Sequence, residues 1–148
     1  MVNCFVGSVY GGAEELTNDL VQLAKEHGVV MDVYNPGTLN DMTKSETILI
    51  VTSTTGNGDI PPELESIFLT IQAERTDLTD KPFAVIAMGD SSYGDTYCGA
   101  GKQIRELLLE LRAKELQPML EIDAMENFDP MPPAKPWFEQ FIGKIKAA

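Results

Sequence analysis

Five short apolar runs, separated by stretches whose apolar residues recur at helical spacing, constrain this chain more than any other feature. The runs are Val2 to Gly7, Val29 to Tyr34, Thr47 to Thr52, Phe83 to Met88 and Leu116 to Ile122. Each is short, apolar or partly β-branched, and ends at Gly, Pro, Ser or Asn, as buried strands do. Between them, Leu16, Leu20, Leu23 and Ala24 mark a helix from Ala13 to His27, with Glu14 and Glu15 in its first turn and Gly28 as its stop. Leu64, Ile67, Phe68 and Ile71 mark another behind Pro62, and Ile104, Leu107, Leu108 and Leu111 a third. Thr38 to Glu46 holds at most a short helix. The last helix starts near Pro136 and carries Trp137, Phe138, Phe141, Ile142 and Ile145 on one face, a core-packing pattern. Strands alternating with helices require a parallel sheet with right-handed crossovers. The expected fold is therefore α/β: a doubly wound five-stranded parallel sheet with helices on both faces. Leu116 to Ile122 is an edge strand, because Pro118 cannot donate a ladder bond. Asp123 to Lys135, with Pro130, Pro132 and Pro133, reads as an ordered surface loop.

Composition removes several functions. The chain has 148 residues, enough for a self-sufficient core and one domain, residues 1–148. Its 11 basic against 23 acidic residues leave a net charge of −12, which excludes a general nucleic-acid partner. No apolar run reaches the roughly 18 residues of a membrane span, and Met1 to Ser8 lacks a basic leader, so a cytoplasmic protein without membrane contact is expected. Cys4 and Cys98 are too few for a disulfide framework or a zinc site, and no metal is expected. A monomer is expected.

Ligands of a doubly wound sheet bind beyond the carboxyl ends of its strands. Those ends are the loops after the first, third and fourth strands: Ser8 to Ala13, Ser53 to Pro61 and Gly89 to Gly101. The first, Ser8-Val9-Tyr10-Gly11-Gly12-Ala13, enters a helix, where free amides and the helix dipole favour an anion. It holds no Lys or Arg, so amides and hydroxyls would carry a phosphate there. G-x-G-x-x-G and G-K-[ST] are both absent, which disfavours a dinucleotide or a nucleoside triphosphate. The second loop, Ser53-Thr54-Thr55-Gly56-Asn57-Gly58-Asp59, offers hydroxyls toward the same phosphate and glycines whose peptides can reorient. The third, Gly89-Asp90-Ser91-Ser92-Tyr93-Gly94-Asp95-Thr96-Tyr97-Cys98-Gly99, sets aromatic rings among polar backbone, as a planar heteroaromatic ligand requires. A phosphate cradle beside a ring platform makes a mononucleotide site.

With these three motifs in this order, the chain resembles the flavodoxins over essentially its full length. It is similar to the short-chain class and to the branch related to the FMN domains of diflavin reductases. The resemblance implies strand order 2-1-3-4-5 and FMN as cofactor. It implies that Ser8, Val9, Tyr10, Gly11, Gly12 and Ala13 wrap the FMN phosphate with Ser53 and Thr54, and that Tyr93 stacks on the isoalloxazine. Gly89, Asp90, Thr96, Tyr97 and Cys98 would lie toward the pyrimidine edge. Thr55, Gly56, Asn57 and Gly58 form the second loop, where the peptide at Gly56-Asn57 would turn its carbonyl toward flavin N5–H in the semiquinone. Tyr10 and Ala13 stand where the family's phosphate loop usually has Thr. Thr55 stands where many members carry an aromatic ring over the other flavin face, so the more negative one-electron couple is expected to be less negative than where both rings are present. Four residues separate Tyr93 from Cys98 where three are usual, leaving open which of Asp95, Thr96 and Tyr97 meets the flavin.

The implied function is a one-electron carrier without substrate turnover of its own. It would shuttle low-potential electrons between an NAD(P)H-dependent flavodoxin reductase and redox acceptor proteins that dock on an acidic rim. An FMN-dependent NAD(P)H:quinone reductase is the rival reading, because it would use the same fold and cofactor. A flavin-free interaction module is the third. A phosphoacceptor domain would need an Asp where Thr52-Ser53 stand. His27 reads as a capping or solvent residue, and Cys98 as loop packing, since no basic side chain lies near it in sequence.

Overall fold

The computed structural model describes residues 1–8, 11–54 and 58–147. Its elements run β1 (Val2–Gly7), α1 (Gly12–Glu26), β2 (Met31–Tyr34), α2 (Leu39–Lys44), β3 (Ile48–Thr52), α3 (Pro62–Glu74), β4 (Pro82–Gly89), a 3-10 turn (Ser91–Thr96), α4 (Gly99–Glu110), β5 (Lys114–Glu115), β6 (Leu120–Asp123) and α5 (Met131–Ala147). All strand pairs are parallel, in the order β2-β1-β3-β4, with β5 and β6 sharing the fifth position beside β4. This is the five-position order 2-1-3-4-5.

The three central strands bury both faces, so their residues divide by parity between two cores. Val2, Cys4, Val6, Leu49, Val51, Ala84 and Ile86 point to the face covered by α1 and α5, where they meet Leu16, Leu20, Phe138 and Phe141. Phe5, Ile48, Ile50, Phe83 and Val85 point to the opposite face, where α2, α3 and α4 supply Met42, Leu64, Ile67, Ile104 and Leu108. No described helix is long and apolar enough to cross a membrane.

Three boundaries differ from expectation. β2 begins at Met31 rather than Val29. The amide of Val29 is spent on Ala24 O at 2.9 Å and Gly28 takes φ +74°, so Gly28 and Val29 close α1 instead. The fifth strand is broken rather than continuous from Leu116 to Ile122. Leu116 N still bonds Phe83 O at 2.8 Å, but Pro118 has no N–H, and Gln117 Nε2 turns away to Trp137 O at 2.7 Å. The last helix starts at Met131, five residues before Pro136. Pro132 and Pro133 fill first-turn positions whose N–H groups have no helical partner in any case, and Asp129 Oδ1 accepts from Met131 N at 3.0 Å. Only Pro136 sits inside the helix.

Candidate functional site

β1, β3 and β4 are adjacent and parallel, so their carboxyl ends emerge along one edge of the sheet. Gly7 is in register with Thr52, and Thr52 with Ala87. The three loops singled out in the sequence therefore leave the sheet side by side.

The first loop delivers Ser8 and the start of α1. Gly11 caps the helix in the left-handed region at φ +85°, a backbone that glycine adopts without strain, and among the described residues no side chain bonds the first amides. Ala13 is buried, and among the described residues only Met88 Cε comes near the missing Cβ of Gly12, at 3.7 Å. The hydroxyl of Ser8 is buried with no hydrogen-bond partner among the described residues. A buried orphan hydroxyl costs free energy unless a ligand satisfies it. Beside an uncapped helix N-terminus, the ligand this chemistry suits is an anion.

The second loop is tied to both neighbours. Ser53 N donates to Gly7 O at 2.9 Å, and Thr54 Oγ1 accepts from Ala100 N at 3.4 Å. Gly58 takes φ +88° and its carbonyl accepts from Gln103 Nε2 at 2.7 Å. Gln103 was not legible in the sequence, because nothing in a polar helix position announces a bond to a loop 45 residues away. Val9, Tyr10, Thr55, Gly56 and Asn57, also expected to meet the cofactor, lie outside the described residues.

The third loop sets Asp90, Tyr93, Thr96 and Tyr97 in different surroundings. Asp90 Oδ1 accepts from Ser92 N at 2.8 Å and Ser92 Oγ at 2.5 Å, so its carboxylate caps the 3-10 turn. That turn leaves the Tyr93 ring 62% exposed, available for stacking. Thr96 lies against Gly58, its Cβ 3.3 Å from where a Gly58 Cβ would be, facing the second loop. Tyr97 turns the other way. Its ring packs at Gly89, and Lys102 Nζ stands 5.6 Å from its centroid. Burial and the neighbouring Cys98, Asp123 and Glu121 push the Tyr97 phenol upward. Of the three residues Asp95, Thr96 and Tyr97, Thr96 is the one whose side chain meets Gly58 of the second loop.

Cys98 caps α4 in the left-handed region at φ +54°, with Sγ 3.5 Å from Ala87 O. Desolvation pushes its thiol up to about 11, and that of Cys4 up to about 12, so both stay protonated near neutrality. Both are buried and free. His27 closes α1 and places Nε2 3.1 Å from Glu139 Oε2, while Lys146 donates to its carbonyl. It links α1 to α5, far in the chain from the three loops.

The sequence reading missed a fourth segment at this edge. Gly89 is in register with Asp123, and Ala124 N donates to Gly89 O at 2.8 Å. Asp123 Oδ1 then accepts from Ser91 N at 3.0 Å and Met125 N at 2.9 Å. The Ser91 side chain leads the causes that hold this carboxyl below its ordinary value, followed by the amides of Met125 and Ser91. A depressed folded-state value means the tie is complete above the unfolded carboxylate range and is lost as pH falls through the folded one. Amide exchange at Ser91 and Met125, corrected for intrinsic rate, is expected to speed up severalfold in Asp123→Ala at pH 7. Wild type should reach the same rates only below about pH 4. Equal protection in the variant and wild type at pH 7 would contradict this role.

The comparisons agree with the geometry. The flavodoxin family profile matches residues 4–137. An uncharacterized protein of Pseudomonas aeruginosa is 39% identical, with 95% of each chain covered. Flavodoxin YqcA of Escherichia coli is 34% identical over 95% of each. Among solved structures, a cysteine-to-serine mutant of flavodoxin from Pseudomonas aeruginosa superposes with a TM-score of 0.91 at 38% identity, covering 98% of both chains. On the profile match and these near end-to-end relatives, the chain belongs to the flavodoxin family, whose members bind FMN and carry electrons.

Proposed function

We propose that this chain is a single-domain carrier that passes low-potential electrons, one at a time, from an NAD(P)H-dependent flavodoxin reductase to redox acceptor proteins docking on its acidic rim. The observation that carries this reading is the buried Ser8 hydroxyl, without a partner among the described residues, beside the start of α1, at the edge where the three loops emerge together. Those residues fit a phosphate without a cation. Ser8, Gly11, Gly12 and Ala13 would hold it with Ser53 and Thr54, and the exposed Tyr93 ring would cover the flavin. Gly58, Gly89, Asp90, Thr96, Tyr97 and Cys98 would shape the ring's edge, with Thr96 the nearest of the last three to the second loop.

Bound there, FMN supplies the redox chemistry, and the protein contributes orientation and electrostatics. Asp90, Asp95 and Asp123 lie on the third loop and the adjoining turn, within a chain of net charge −12. Their field opposes adding further negative charge beside them, which favours low potentials. It also draws basic partners, so transfer rates should fall as salt rises.

Stepwise anaerobic reduction of the FMN-loaded protein, followed by its visible spectrum, tests the reading. Two separated one-electron stages are expected. Direct two-electron reduction, or NAD(P)H oxidation by the protein alone, would replace the carrier with the quinone-reductase reading.

Ser8→Ala separates stability from binding. Removing an unsatisfied buried hydroxyl should leave the FMN-free protein as stable as wild type, or more stable by up to about 1 kcal/mol. FMN affinity should fall about tenfold, because a charge-assisted bond is lost. Flavin fluorescence quenching and urea unfolding read the two effects, and unchanged affinity would remove Ser8 from the phosphate site.

A further inference from the structure

We propose that the turn from Ala124 to Pro130 is a docking knob for basic redox proteins, with Phe128 entering an apolar pocket on the partner while Glu126 and Asp129 meet its cationic rim. This rests on the carrier reading above. Phe5, Phe83, Phe138 and Phe141 are fully buried, and Phe68 packs against the core. Phe128 alone among the six phenylalanines stands wholly in water, at 103% exposure, and Met125, three residues earlier, is 65% exposed. A large apolar side chain so placed adds nothing to folding, and with Met125 exposed in the same turn it sets two apolar tips among the acids Glu126 and Asp129.

The turn is bracketed at both ends. Upstream, Asp123 O accepts from Glu126 N at 3.1 Å and Asn127 N at 2.9 Å, in addition to the two carboxylate bonds described above. Downstream, Asp129 bonds Met131 N, and Pro132 and Pro133 begin α5. Phe128 is therefore presented on ordered backbone, which lowers the ordering cost of docking. Because Gly89 pairs with Asp123, the knob stands next to the turn bearing Tyr93. A partner seated on it lies at the cofactor's edge of the sheet.

Charge selects the occupant. The segment has two acids and no base, and Lys102, a nearby cation, is engaged 3.9 Å from Glu121. A second copy of this chain would bring another −12 and be repelled. A protein with basic residues around an apolar pocket is attracted to both features, and an aromatic anchor is a typical centre of such an interface.

The test uses the full chain loaded with FMN, and a bacterial NADPH-dependent flavodoxin reductase as the probe. Steady-state reduction is measured against carrier concentration at low and high salt. Phe128→Ala should raise KM about tenfold or more, with kcat and both midpoint potentials unchanged, and Phe128→Leu should restore most of the loss. The Phe128→Ala defect should persist at high salt, whereas that of E126Q combined with D129N should vanish. If wild type is reduced and Phe128→Ala matches it within about twofold in KM, the knob is refuted and the carrier reading stands. If the FMN-loaded wild type is not reduced, the carrier reading falls and the knob with it.

Discussion

Gly101→Val is expected to lower stability by about 3 kcal/mol, at the upper end of ordinary overpacking. A Cβ at Gly101 would lie 2.4 Å from Ala87 Cβ and 3.3 Å from Ala87 Cα. Neither atom can step aside, because Ala87 is fully buried and paired to Thr52 on one side and Glu121 on the other. The helix must move instead. Ala100, Ile104, Leu107 and Leu108 bury the same face of α4, so lifting it off β4 loosens the whole contact. Urea unfolding should show a lower midpoint at unchanged slope, and the melting temperature should drop by about 9 °C. An unaltered midpoint would show that α4 shifts along the sheet at no cost, against the close packing seen here.

Gly99→Ala should act on binding more than on stability. Its Cβ would fall 2.9 Å from Gly58 Cα and 3.0 Å from Gly58 O, so the start of α4 and the end of the second loop must part. Alanine is the better helix former, which offsets part of the strain, and a net destabilisation of about 1 kcal/mol is expected. The second and third loops flank the proposed flavin site, and a binding constellation must hold its geometry within about 0.5 Å to work. Affinity for FMN should therefore fall by about 10- to 100-fold. Fluorescence titration gives the affinity, and circular dichroism of the FMN-free protein checks the fold. A variant that binds FMN like wild type would mean that the contact between Gly58 and Gly99 does not position the site.

The sheet was legible in the sequence because its central strands are buried on both faces. Val2 to Gly7, Ile48 to Thr52 and Pro82 to Gly89 must be nearly continuous apolar runs, and such runs stand out against polar helix faces. The fifth strand was harder to read. Pro118 marked an edge, but only the pairing of β4 with Lys114–Glu115 and then with Leu120–Asp123 shows that the ladder is interrupted between them. The last helix was placed late because prolines read as loop, although in a first turn they cost nothing.

The candidate site divides in the same way. Its three loops were found from Gly, Ser and Thr at strand ends, since tight strand-to-helix turns and anion cradles draw on those residue types. The adjoining turn at Asp123 was read only as loop, because its role depends on register between β4 and β6. Likewise only the fold shows that the Thr96 side chain meets Gly58 while the Tyr97 ring packs at Gly89.

By itself, then, the sequence determined the alternation of strand and helix, the two-faced burial of the central strands and the residue types at their carboxyl ends. Those depend on local periodicity and on backbone freedom, which each residue carries with it. Tertiary structure alone decided that Ser8 is a buried hydroxyl without a partner among the described residues, that Gly58 and Gly99 pack together, and that Asp123 ties the turn leading to Phe128 to Ser91. Each of these is a relation between residues far apart in the chain, set by strand register and helix packing, and no local pattern encodes it.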